Sequence, residues 1–186
     1  MAKYHHTIQR QRLMPAFEQF RHPSQAGCVP KYGADHVHLQ LEAYSYWAAR
    51  QKRSFCVLFL DIASAYYKTV RALIVGGDCT DLQLAKIFSD HGWSPDMFHE
   101  FLASLSEPCS FVQAQVSGHQ QCQALSCLTA SWFALRQSHG TLTHTSHGTR
   151  PGDPLADLLF GFLFSRLCHK IQSQLDLAGL LETFPI

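Results

Sequence analysis

The chain has 186 residues, a formal net charge of +1, 46% hydrophobic residues and 16% charged residues. That apolar content supports a packed core of one ordinary domain and excludes wholesale disorder. The longest apolar-rich stretch, residues 155–164, is interrupted by Asp157 and is too short to span a bilayer. Residues 1–17 lack the long apolar segment of a secretory signal, so the expected setting is intracellular, nucleus or cytoplasm, without a membrane partner.

Seven cysteines, an odd number scattered without close pairing, fit reduced thiols better than a disulfide framework. Twelve histidines are dispersed and read mostly as surface or hydrogen-bonded residues. The charge is uneven: residues 1–60 carry eight Lys/Arg and three acids, net +5, and residues 61–120 carry three bases and seven acids, net −4. A basic first third faces either a polyanion such as nucleic acid or simply water.

Residues 24–33, rich in Gly, Pro and Ser, read as a loop. Val37, Leu41, Tyr44 and Ala48 then fall at helical spacing, predicting a helix over residues 34–50. Residues 54–62, SFCVLFLDI, are apolar on both alternating faces, which predicts a central buried strand. Residues 63–75 read as a turn entering a helix. Two more helices are expected over residues 81–90 and 95–105, separated by His91-Gly92, and residues 111–128 read as partly helical. Residues 132–137 and 141–146 flank Ser138-His139-Gly140 and predict a strand hairpin. The last helix is announced by Asp153-Pro154, a cap followed by a residue favoured at the first helical position. Leu155, Leu158, Leu159, Phe162, Leu163, Leu167 and Ile171 mark its apolar face.

Asp61 closes the apolar run, and a carboxylate there is costly unless paired, hydrogen-bonded or bound to a metal. Two readings stand: a metal ligand at the carboxyl end of a strand, or a cap at the following bend. Tyr66 and Tyr67 read as core aromatics without further context, Gly152 as a turn glycine, and Asp153 as a helix cap rather than a catalytic acid.

Three stretches together resemble reverse transcriptases of the non-LTR (LINE-like) retrotransposon type. VLFLDIASAYYKTV resembles the first catalytic motif, GTRPGDPLADLLFGFLF the motif that follows it, and QAGCVPKYGADHVHLQL the fingers segment. The resemblance spans about residues 20–175. It implies an α+β fold, the fingers and partial palm of a right-hand polymerase, with residues 1–53 fingers-like and residues 54–186 an incomplete palm. It also implies that Asp61 is the catalytic aspartate binding both divalent ions, with the Ile62 carbonyl a further metal contact. The Ser64 and Ala65 amides would receive the triphosphate, Tyr66 would pack under the deoxyribose, and Gly152 would let backbone approach the nucleotide. Lys31 would lie among phosphate-facing residues. The implied cofactor is Mg²⁺, with Mn²⁺ a substitute, and the implied partners are an RNA template, a DNA primer or duplex, and dNTP.

The sequence departs from that family in three places. Pro151 replaces the usual Gln, and Tyr67 stands where LINE-like enzymes have Asp. No Asp-Asp pair occurs, so the Tyr-x-Asp-Asp hairpin is absent. Two-metal phosphoryl transfer needs more carboxylates than Asp61 alone. The expectation is a truncated reverse-transcriptase domain, inactive in isolation, with apolar surface left uncovered.

Two other classes compete. A non-catalytic nucleic-acid-binding or decayed retroelement remnant would use the basic first third. A zinc module would use Cys122, Cys127, His139 and His144, but Ser131 and Gln137 fall where a finger needs an aromatic and a leucine. A serine or cysteine hydrolase is disfavoured because no Gly-x-Ser-x-Gly elbow is present.

Overall fold

The structure, a computed structural model, describes residues 2–57, 59, 61–62, 65–129, 132–134, 142–145, 148–150 and 152–181. Among these residues the elements are α1 (Ala2–Phe20), α2 (Ala34–Arg50), α3 (Ala65–Lys68), α4 (Ala72–Val75), α5 (Asp81–His91), α6 (Pro95–Ser106), α7 (Ser110–Gln113), α8 (Gly118–Thr129), β1 (Trp132–Ala134), β2 (Leu142–His144) and α9 (Ala156–Leu177).

The core is built where helices cross α9. Gln9, Leu13 and Phe17 of α1 recur every four residues and bury one stripe against Leu158, Leu159 and Phe162 of α9. Phe162 sits edge-on to Phe17 at 5.1 Å and to Phe111 at 5.0 Å between centroids. Each fully buried ring of this kind contributes about 1.5–3 kcal/mol by leaving water. Gly161 permits the close approach, because a Cβ there would lie 3.1 Å from the Phe17 ring. Buried polar groups tie the loop after α1 to the same helix. Ser165 Oγ donates to Gln25 Oε1 at 2.6 Å, Gln25 Nε2 donates to the Gly161 carbonyl at 3.2 Å, and the His22 N–H donates to Ser165 Oγ at 2.7 Å.

A smaller cluster joins Val70, Ile87 and Phe101, with Trp93 and Phe98 packed against it. Its helices start and stop on local signals. Thr80 and Gln83 form a reciprocal capping box before α5, and Gly92 takes the left-handed conformation, φ +61°, that ends it. Ser94 caps α6 with Pro95 at its start.

The expected α+β fold is not what forms. Among the described residues the architecture is helical, and its one strand pairing joins β1 and β2 antiparallel over three residues each. That pairing falls inside the expected hairpin, whose turn lies outside the described residues. The decisive departure is in residues 54–62. The described members of this run belong to no strand, and Phe55, Val57, Phe59 and Ile62 are 42%, 37%, 83% and 46% exposed. A central strand is defined by neighbours that satisfy its N–H and C=O groups, and none pairs with this run among the described residues. The fingers-and-palm architecture therefore does not describe this chain. The helix of α9 forms as expected, but Leu167 and Ile171 are 43% and 44% exposed, so its apolar face is covered only in its first turns.

Candidate functional site

Residues that the sequence places 86 positions apart, Tyr66 and Gly152, line one cleft together with Arg10, Asp153, Pro154, Ala156 and Asp157. Its volume is about 340 Å³. The backbone explains how they meet. The Gly148 N–H donates to the Thr69 carbonyl at 2.7 Å and the Thr149 N–H to the Tyr66 carbonyl at 2.5 Å, which closes the turn before α9 onto α3. Arg71 braces the same junction from beneath, donating to the carbonyls of Gly148, Leu128 and Thr145 at 2.7–2.9 Å. Burial holds its guanidinium below the usual arginine pKa range.

Tyr66 is half-buried, its ring 5.6 Å from that of Phe160. It presents a flat, stiff wall. Gly152, exposed at φ +78°, presents bare backbone with open space where a Cβ would stand. Asp153 lies in the turn before α9, whose N-cap is Leu155 rather than the expected Asp153; its Oδ1 accepts the Leu155 N–H at 2.9 Å, while its Oδ2 meets His6 Nδ1 at 2.5 Å. Arg10 grips Asp157 with two hydrogen bonds, 2.8 and 3.4 Å. That bond and the Asp157 charge raise the Arg10 pKa against the opposing effect of burial. The Arg10 charge on the cleft wall is thus already paired with Asp157, and Asp153 is hydrogen-bonded to His6. A polyanion entering here meets two carboxylates and no unmatched cation among the described lining residues, whereas a flat neutral group meets a ring and open backbone.

The other described residues that the sequence singled out, Asp61, Ile62, Ala65 and Lys31, are absent from this cleft's lining. Asp61 is exposed, as is Ile62. Ser64 lies outside the described residues. Ala65 begins α3, a single turn too short to offer the summed dipole that favours an anion. Lys31 is exposed on its loop at φ +68°. Among the described residues no three His, Cys, Asp or Glu side chains stand close enough to hold a metal ion. The described residues therefore offer no ready carboxylate set for a two-ion Mg²⁺ or Mn²⁺ centre. For the zinc alternative, Cys122 and Cys127 sit on α8, and His139 lies outside the described residues.

Sequence reasoning missed His6, Arg10 and Arg71. A signal was present for two of their contacts. Asp157 interrupts an apolar helix face and Arg71 interrupts the apolar TVRALIV, and a charge so placed demands a partner. Nothing local names His6 or Arg10, which reach α9 across 147 positions.

The chain was compared with protein-family models, with curated proteins and with solved structures, and none matches it.

Proposed function

We propose that this chain is a reverse-transcriptase-related segment that recognises a deoxynucleoside moiety without synthesising DNA on these 186 residues alone. The observation that carries the reading is the convergence of Tyr66 and Gly152 on one cleft. These are the two positions that the motif resemblance assigns to the nucleotide's sugar and to its backbone approach. The base and deoxyribose stack on the Tyr66 ring, and the Gly152 backbone stays clear of them. With Arg10 paired to Asp157 and two carboxylates in the lining, little is left to hold a triphosphate, so the nucleoside supplies the affinity. The parent reaction, template-directed synthesis from dNTPs, requires several carboxylates around two ions, and the sequence contains no adjacent pair to join Asp61.

The test is a titration with 2-aminopurine deoxyriboside, whose fluorescence is quenched by stacking. Quenching that saturates in the wild type and weakens about tenfold or more in Tyr66→Ala supports the reading. Equal quenching in the two proteins, or primer extension by the chain with Mg²⁺ or Mn²⁺, contradicts it.

A further inference from the structure

A second cleft, of about 470 Å³, lies where α5 and α6 meet α4 and α7, and it shares no lining residue with the nucleoside cleft. We infer that it is a binding site for a small organic ammonium ion, a primary amine carried on a hydrocarbon body.

Apolar side chains enter it from four helices. Ala72 comes from α4, Leu84 from α5, Leu102 and Leu105 from α6, and Val112 from α7. The volume lies in the range of small-molecule sites, where an apolar body supplies contact area and a few polar groups select the ligand. The surrounding elements are tied to one another. Ser110 Oγ donates to the Leu73 carbonyl at 3.1 Å, which holds α7 against α4. Arg166 of α9 donates to the Ser104 carbonyl and to Glu107 Oε2, both at 2.7 Å, which holds the end of α6 to the main core. Gly76, at φ +81°, lines the same space, and a Cβ there would lie 3.4 Å from Cys109 Sγ. The chain passes this point as bare backbone.

Charge selects the head group. Asp78 and Glu107 line the cleft, and no lysine or arginine does among the described lining residues. Glu107 is paired with Arg166, whereas Asp78 has no ion pair among the described residues. Residues 76–107 carry six carboxylates and one lysine. Burial first, and the Asp78 charge second, raise the Cys79 thiol above its ordinary pKa, so this carboxylate is felt at another lining residue. Such a field draws a cation in and repels an anion. A hydrocarbon body covers the leucines while its ammonium meets Asp78. A lysine side chain has the charge, but its thin stem leaves most of the volume empty.

This inference does not rest on the nucleoside reading. The experiment is a proton–nitrogen correlation titration of the whole chain with three probes on one ring system: 2-naphthylmethylamine, 2-naphthylmethanol and 2-naphthoate. The amine is expected to shift the amides of Gly76, Gly77, Asp78 and Leu105. It should bind about fivefold tighter than the alcohol, the share of one exposed ion pair, with the naphthoate weakest. Asp78→Asn is expected to bring the amine to within about twofold of the alcohol. Asp90→Asn, at an exposed acid outside the lining, should leave the preference in place. Leu105→Ser should weaken amine and alcohol alike. Excess deoxyadenosine should leave the amine bound. Equal affinity for amine and alcohol overturns the inference, as does tightest binding of the naphthoate, equal effects of the Asp78 and Asp90 changes, or shifts centred away from the cleft. Displacement by deoxyadenosine, tighter binding of a lysine-containing tripeptide, or no binding at all also overturns it. The three-probe comparison on the wild-type chain decides the matter even where Leu105→Ser fails to fold.

Discussion

The Thr149 N–H donates to the Tyr66 carbonyl at 2.5 Å, and that bond decides which two faces of the chain confront each other. It sets the single turn of α3 against the approach to α9. The Tyr66 ring then lies beside Phe160, and Gly152 opens onto the same space. The motif that looks like a nucleotide contact and the motif that looks like its backbone partner meet through main-chain hydrogen bonds, without the expected central sheet among the described residues.

Arg71 is the brace beneath this junction. Its fork reaches three carbonyls and the Thr145 hydroxyl. Lysine has the charge but not the fork. Arg71→Lys should destabilise the protein by about 2–4 kcal/mol in urea unfolding, because buried carbonyls lose their donors. It should also weaken nucleoside quenching, although Arg71 is absent from the described cleft lining.

Gly161 marks a close approach of α1 to α9. A Cβ there would lie 3.1 Å from Phe17 and 3.3 Å from Cys28 Sγ. Neither neighbour sits at the surface end of a flexible side chain. Gly161→Ala should therefore cost about 1–3 kcal/mol in chemical denaturation, although alanine is the better helix former. Phe17→Leu in the same chain should recover part of that loss by giving the methyl group room.

The thiols should divide by environment. Burial first, and the Asp157 charge second, push Cys28 up to about 11, and its Sγ–H donates to the Asp157 carbonyl at 3.0 Å. Cys56 and Cys122 are exposed. At pH 7.5 iodoacetamide should label Cys56 and Cys122 well before Cys28, as read by peptide mass spectrometry. The sign for stability follows from proton counts. From pH 9, the ordinary thiol value, to about 11, the unfolded chain releases the Cys28 proton while the folded chain keeps it. Unfolding free energy should fall over that interval, and Cys28→Ala should reduce the fall.

The apolar run at residues 54–62 should govern solubility more than stability. Phe59 is 83% exposed, and the run combines high strand propensity with a single charge at its end. Phe59→Lys should raise the concentration at which the protein stays monomeric in analytical ultracentrifugation. Its unfolding midpoint should move by less than about 0.5 kcal/mol in free-energy terms, the usual range for a surface change.

What was legible in the sequence was what short-range chemistry fixes. The break at His91-Gly92 between α5 and α6 was legible because such signals act within four residues, and the Thr80–Gln83 box and the Ser94 cap that the structure adds are equally local. The approach to α9 was legible at Asp153-Pro154, but the helix itself begins at Ala156 with Leu155 at its cap position. α1 was not, because its buried stripe is Gln9, Leu13 and Phe17 within a run of polar and basic residues. Residues 54–62 misled because an apolar run reports the wish to be buried, and burial as a strand also needs partner strands that local sequence does not supply. At the cleft, motif resemblance singled out Tyr66 and Gly152, whereas the pairing of His6 with Asp153 and of Arg10 with Asp157 depends on α1 docking across the whole chain.

The most direct test is a proton–nitrogen correlation spectrum titrated separately with deoxyadenosine and with its triphosphate. Shifts should concentrate on the amides of Arg10, Tyr66, Gly152 and Asp157, and the two ligands should bind within about threefold of each other, since Arg10 is already paired with Asp157. Shifts centred elsewhere, or a triphosphate bound far more tightly than the nucleoside, would contradict a cleft that recognises base and sugar.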